Sequence, residues 1–114
     1  MKKVLVKVDW LHPSQGGRQA LPEENHFIAV GKFPHQSYQD WLKNAWSIKL
    51  DWLDKDNPGS WYGLAHFLSA DGPTEWLMPG GYFDICEGPK KVALVSVVTT
   101  AKAVDNIRNI ALTG

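Results

Sequence analysis

A single cysteine, Cys86, occurs in the 114 residues. It has no partner for an internal disulfide, which points to a reducing, cytoplasmic compartment. Long apolar runs are also lacking, and no stretch approaches the ~20 residues of a membrane span. Met1-Lys2-Lys3 is basic, but Lys7 and Asp9 interrupt the apolar run behind it, so no secretory signal is legible. A basic surplus is missing: twelve Lys and Arg balance twelve Asp and Glu, whereas a nucleic-acid binder usually carries an excess of positive charge. Gly16-Gly17 lacks the full glycine spacing and the Lys-Ser/Thr of a phosphate-binding loop, so no nucleotide is expected.

Signs of catalysis are equally sparse. His12, His26, His35 and His66 fall in four different elements, with no pair at ligand spacing, and no metal is assigned. Ser60, Ser69 and Ser96 have no nucleophile-elbow context. Cys86 reads as a mid-strand thiol that is packed rather than activated. Asp51, Asp54 and Asp56 read as a solvated turn rather than an acid–base pair. The chain is therefore read as a non-enzyme with no catalytic residue and no cofactor.

What the chain does have is short alternating runs between Pro/Gly turns. Val4, Val6, Val8 and Trp10 alternate with Lys3, Leu5, Lys7 and Asp9 and place one apolar face on a core. Residues 26–33 form a second strand, in which Gly31 marks a bulge or a close backbone approach, and Pro34 ends it. Ser37 caps a short helical turn over residues 38–43, with Asp40 three residues on. Trp46, Ile48, Leu50 and Trp52 alternate again, residues 60–69 form the next strand, and residues 75–78 a short extended piece. Tyr82 to Cys86 alternates, Glu87-Gly88-Pro89-Lys90 is a tight turn, and the Val-rich arm behind it reads as a strand covered on both faces. After Thr99, Ala103, Val104, Ile107, Ile110 and Ala111 recur at helical spacing. Six strands with little helix predict an all-β fold, a sandwich or a barrel, over residues 2–99, with residues 100–114 as a short C-terminal helix; closure into a barrel removes the edge strands. At this length the chain is one domain that buries about 65% of its unfolded surface.

Two features suggest a binding surface. Residues 51–87 carry one basic side chain, Lys55, against seven acidic ones, including Asp54, Asp56, Asp71 and Glu75, which read as an acidic face for a basic partner. Six Trp, four Phe and three Tyr exceed what a small barrel interior holds, since each aromatic buries roughly 150–250 Å². Trp41, Trp61, Tyr62 and Trp76 are the candidate exposed contacts.

Three stretches together resemble the C-terminal β-barrel domain of translation elongation factor Tu. The first is residues 6–11 followed by Gly16-Gly17-Arg18 and Pro22. The second is the aromatic-bearing strand 26–33. The third is Gly81-Tyr82-Phe83, then Glu87-Gly88 with Lys90, then the Val-rich strand to Val98. They follow in the family's order over residues 3–99. The resemblance implies a six-stranded antiparallel closed barrel, which in the full factor packs on other domains and helps hold aminoacyl-tRNA; it does not imply GTP hydrolysis, which belongs to a separate domain of that factor. It also implies Arg18, the match to the family's Gly-Gly-Arg arginine, as a contact. After Pro22 the family has an aromatic and basic segment, where this chain has Glu23-Glu24-Asn25-His26.

The leading expectation is a non-catalytic module that binds another protein. One alternative is an immunity or antitoxin protein that neutralises a basic toxin domain through the acidic region. Another is an RNA- or tRNA-associated accessory protein, with Arg18, Lys32, Lys90 and Lys91 on phosphates. No membrane partner is expected.

Overall fold

The computed structural model describes residues 2–100. The expected C-terminal helix lies outside the described residues. Six strands run β1 (Val4–Trp10), β2 (His26–Lys32), β3 (Trp46–Asp54), β4 (Ser60–Phe67), β5 (Tyr82–Glu87) and β6 (Lys90–Thr100), with one helix, α1 (Tyr38–Lys43), between β2 and β3. All neighbouring strands are antiparallel, and the ring closes in the order β1-β4-β3-β2-β5-β6. The expected all-β closed barrel is the observed fold. No helix among the described residues is long and apolar enough to cross a membrane.

Period-two alternation builds the wall, because successive side chains leave a strand on opposite faces. Val4, Val6, Val8 and Trp10 of β1 point inward, as do Ile48 and Leu50 of β3, and Trp61, Ala65 and Phe67 of β4. Little room is left for a Cβ at Gly31, where it would meet Ile48 Cγ1 at 3.1 Å and push it back by a few tenths of an ångström. Pairing with β3 continues through Gly31 without a shift, so this glycine marks a close approach and not a bulge. At Glu87–Lys90 the chain reverses over Gly88, with φ +60°, and Pro89. A glycine at the first central position with positive φ is the type II′ arrangement, whose twist suits a hairpin.

Three local expectations need correction. Residues 74–76 form a 3-10 turn instead of an extended piece, and it delivers Leu77, completely buried, into the core. β6 is not covered on both faces: Val95 and Val97 are buried, Leu94 and Ser96 are half-buried and Val98 is exposed. A closed antiparallel ring has one dry face, so the Val-rich run alternates in burial although it does not alternate in polarity. β5 loses its alternation at a register shift between Ile85 and Cys86, which buries both.

Aromatic plugs close the two mouths. At the first, Trp10 packs against Phe27, Trp52 and Trp61 with ring centroids 5.4–5.7 Å apart. At the second, Phe33 stacks on Phe83 at 4.7 Å and meets Trp76 edge-on at 5.2 Å. Such pairs add about 0.5–1.5 kcal/mol each beyond the area they bury.

Candidate functional site

The residues singled out from the sequence do not share a face. Asp54 and Asp56 belong to the β3–β4 turn at the first mouth, while Asp71 and Glu75 belong to the β4–β5 connection at the second. The β4 residues between these levels, from Tyr62 to Phe67, span roughly 17 Å at ~3.3 Å per residue. The acidic stretch is thus divided, and several of its members are engaged locally. Asp51 lies 3.8 Å from Lys49, Asp84 3.0 Å from Lys91 and Glu87 2.6 Å from Arg18. The Asp54 carboxylate accepts from the Asp56 amide, and the Ser69 hydroxyl from the Asp71 amide.

Two of the expected aromatic contacts are buried. Trp61 is buried in the first plug, beneath the Lys55 ammonium at 5.0 Å from its ring centroid. That ammonium also donates to the carbonyls of Pro22, Glu23 and Glu24 at 3.2–3.4 Å, which ties loop 11–25 to the β3–β4 turn. Trp41 is buried on the outer wall, where α1 lies on β2, and its Nε1 donates to the Gly31 carbonyl at 3.1 Å. The expected Ser37 cap is present, with its side chain accepting from the Asp40 amide at 3.1 Å. Neither tryptophan is available as a surface anchor. Tyr62 is exposed, and Trp76 is half-buried.

Arg18 is held at the first mouth. Its Nε donates to the Ala20 carbonyl at 2.8 Å, its Nη1 to Glu87, and its guanidinium lies 5.2 Å from the Phe27 ring centroid. With Leu21, Pro22, Glu24, His26 and Phe27 it borders an open depression of about 420 Å³. Committed to a carboxylate, Arg18 braces the hairpin tip against loop 11–25 instead of standing free for a phosphate.

The second mouth carries a different surface. The β2–α1 link supplies Phe33, Pro34 and His35, and the β4–β5 connection supplies Glu75, Trp76, Met78 and Gly81, with Tyr82 opening β5. Together they line a groove of about 390 Å³. Trp76 lines it half-buried, edge-on to His35 at 4.3 Å and to Phe33. Met78 is 62% exposed and Tyr82 57%. Glu75 stands at the rim and makes no ion pair among the described residues. Sequence reasoning reached Trp76 and Glu75 but passed over Met78 and Tyr82. The alternation of Tyr82 and Asp84 against Phe83 and Ile85 held the signal, since it puts Tyr82 on the wet face.

The chain matches no protein-family model and no curated protein.

Among the described residues no group of three or more His, Cys, Asp or Glu stands together as metal ligands would. Burial pushes the Cys86 thiol up, with the Asp84 charge adding to it, so the thiolate is disfavoured. Burial also lowers His66, helped by the Lys3 ammonium, and its Nδ1 has no partner. The Ser60 hydroxyl donates to the Asp9 carboxylate with no histidine in that pair. Aromatic, Met and Pro side chains around a single carboxylate can hold an apolar segment and orient a cation beside it.

Proposed function

We propose that this protein is a non-catalytic module that binds another protein, and that it does so through the groove between the β2–α1 link and the β4–β5 connection. One observation carries the reading: Met78 and Tyr82 are large, apolar and more than half exposed beside the half-buried Trp76. Exposed aromatic and Met side chains around a concave floor are the composition of an interface core. The resemblance to the elongation factor Tu barrel, which packs on other domains and helps hold aminoacyl-tRNA, is compatible with the same reading. The dispersal of Asp54 and Asp56 from Asp71 and Glu75 favours it over a single acidic cap for a basic toxin. The pairing of Arg18 with Glu87 favours it over a phosphate contact.

The test is capture of copurifying protein from the native host with the wild-type chain, Tyr82→Ala and Met78→Asp. Both side chains are exposed, so the variants are expected to keep the fold, checked by their circular dichroism. A stoichiometric partner held by the wild type and lost by both variants is expected. The reading is wrong if no stoichiometric protein is retained at micromolar concentration, or if both variants retain it as well as the wild type does.

A further inference from the structure

The barrel has one incomplete seam. β1 pairs with β6 along its whole length, whereas β2 pairs with β5 only at Val30–Cys86, Gly31–Ile85 and Lys32–Asp84. The direction of the remaining backbone groups follows from the other side of β2. The Trp52 amide donates to the Asn25 carbonyl, which sets residues 25, 27, 29 and 31 as those bonded to β3. In an antiparallel ladder the intervening residues turn both their groups the other way. Val30 and Lys32 accordingly face β5 and pair with it. His26 and Ile28 face the same side, but there β5 has already turned away through Gly88-Pro89. No protein group among the described residues meets the backbone amide or carbonyl of either residue.

An unpaired strand edge is a template for another strand. Three further features lie beside this one. Ile28 is 48% exposed. Val30, Trp41, Leu42, Ala45 and Gly88 line a shallow, open apolar hollow of about 170 Å³ next to it, and Leu42 is 60% exposed. Lys43, which follows Leu42, and Lys90, just past Gly88, make no ion pair among the described residues.

We propose that this seam is a second docking site, which takes an extended, acidic-flanked segment of a partner protein as an added strand along residues 26–28. Backbone pairing with His26 and Ile28 supplies the register, an apolar side chain of the segment fills the hollow, and its carboxylates meet Lys43 and Lys90. Main-chain bonds give such complexes their affinity, and the side-chain pockets give them specificity. The site rests on the reading of this chain as a protein-binding module but shares no residue with the Tyr82 groove.

The probe is a short blocked peptide of alternating Val and Thr flanked by pairs of Glu. Titration into the full chain is followed by NMR, with hydrogen exchange of the His26 and Ile28 amides as the second readout. Binding that slows exchange at both amides is expected. It should weaken about tenfold or more when the peptide amides facing β2 are N-methylated, or when the protein carries Leu42→Gln or Lys90→Glu. Tyr82→Ala should leave it unchanged, which separates this site from the groove. The proposal falls if the peptide does not bind at millimolar concentration, if the N-methylated peptide binds equally well, or if the Ile28 amide exchanges as fast with peptide as without. It falls as well if the Ile28 amide is already protected in a self-associated form, because the edge then belongs to a second copy.

Discussion

Gly17 is the position where the fold has least room. A Cβ there would stand 1.8 Å from the Leu11 carbonyl oxygen, 2.5 Å from its carbon and 3.0 Å from the His12 oxygen. All three are backbone atoms, so no side chain can swing aside. In Gly17→Ala the turn must retreat by more than about 1 Å to restore ordinary contact distances. The retreat breaks the bond from the Gly17 amide to the His12 carbonyl, now 3.0 Å long. Overpacking costs ~1–3 kcal/mol, and the lost bond adds ~0.5–1.5, so a total of about 2–4 kcal/mol is expected. For a chain of this size each kcal/mol shifts Tm by about 4 °C, which gives a fall of ~8–16 °C in a thermal scan. Gly16 is the matched control. Its φ is +92° and nothing lies within 4 Å of its added Cβ, so Gly16→Ala pays only the left-handed backbone term. That term is about 1–2 kcal/mol, or ~4–8 °C. If Gly17→Ala melts within two or three degrees of wild type, or above Gly16→Ala, the close packing of this turn on Leu11 is wrong.

Trp41→Phe and Trp52→Phe form a differential test. The Trp41 Nε1 has an acceptor in Gly31, while the Trp52 Nε1 is buried with none. Trp41→Phe should cost about 1 kcal/mol more than Trp52→Phe in denaturant titrations, because it alone gives up a buried hydrogen bond, the one from Nε1 to the Gly31 carbonyl; equal costs would refute the distinction. Ser37→Ala should cost about 1 kcal/mol in the same assay through loss of the cap on the Asp40 amide, and no change would mean α1 is held by Trp41 alone. His66 should make stability depend on pH. Burial and Lys3 lower it below its ordinary 6.5, so the unfolded chain takes up a proton that the folded barrel resists. Its contribution is therefore complete above about pH 6.5 and is lost as pH falls from there through the lowered value. His66→Gln should lose less stability than wild type over that window, and equal pH slopes would refute the assignment.

Much of the wall was legible because local pattern and tertiary demand agree. Val4 to Trp10 and Trp46 to Trp52 alternate in sequence and in burial, and Ser37 announces α1 by its cap. Reading failed where the ring decides. Val92 to Val98 offers no polar period, so only closure fixes which valines are dry. The acidic stretch looked continuous because turns hide direction: β4 carries the chain from one mouth to the other between Asp56 and Asp71. The groove joins residues 33–35 to residues 75–82, and the pairing of Lys32 with Asp84 is what brings these stretches together. No local rule contains that contact.

The division of tryptophans between the mouths has an optical consequence. Trp10, Trp52 and Trp61 lie within 5.0–5.7 Å of one another by ring centroid. Trp46 and Trp76 belong to the opposite plug, beside Phe67 and Phe33 respectively. Each end of the barrel thus carries its own chromophores. The close triplet should dominate the near-ultraviolet circular dichroism, while fluorescence quenching by an added ligand at the Tyr82 groove should read Trp76. A molecule that engages one mouth announces which mouth it has chosen without any attached label.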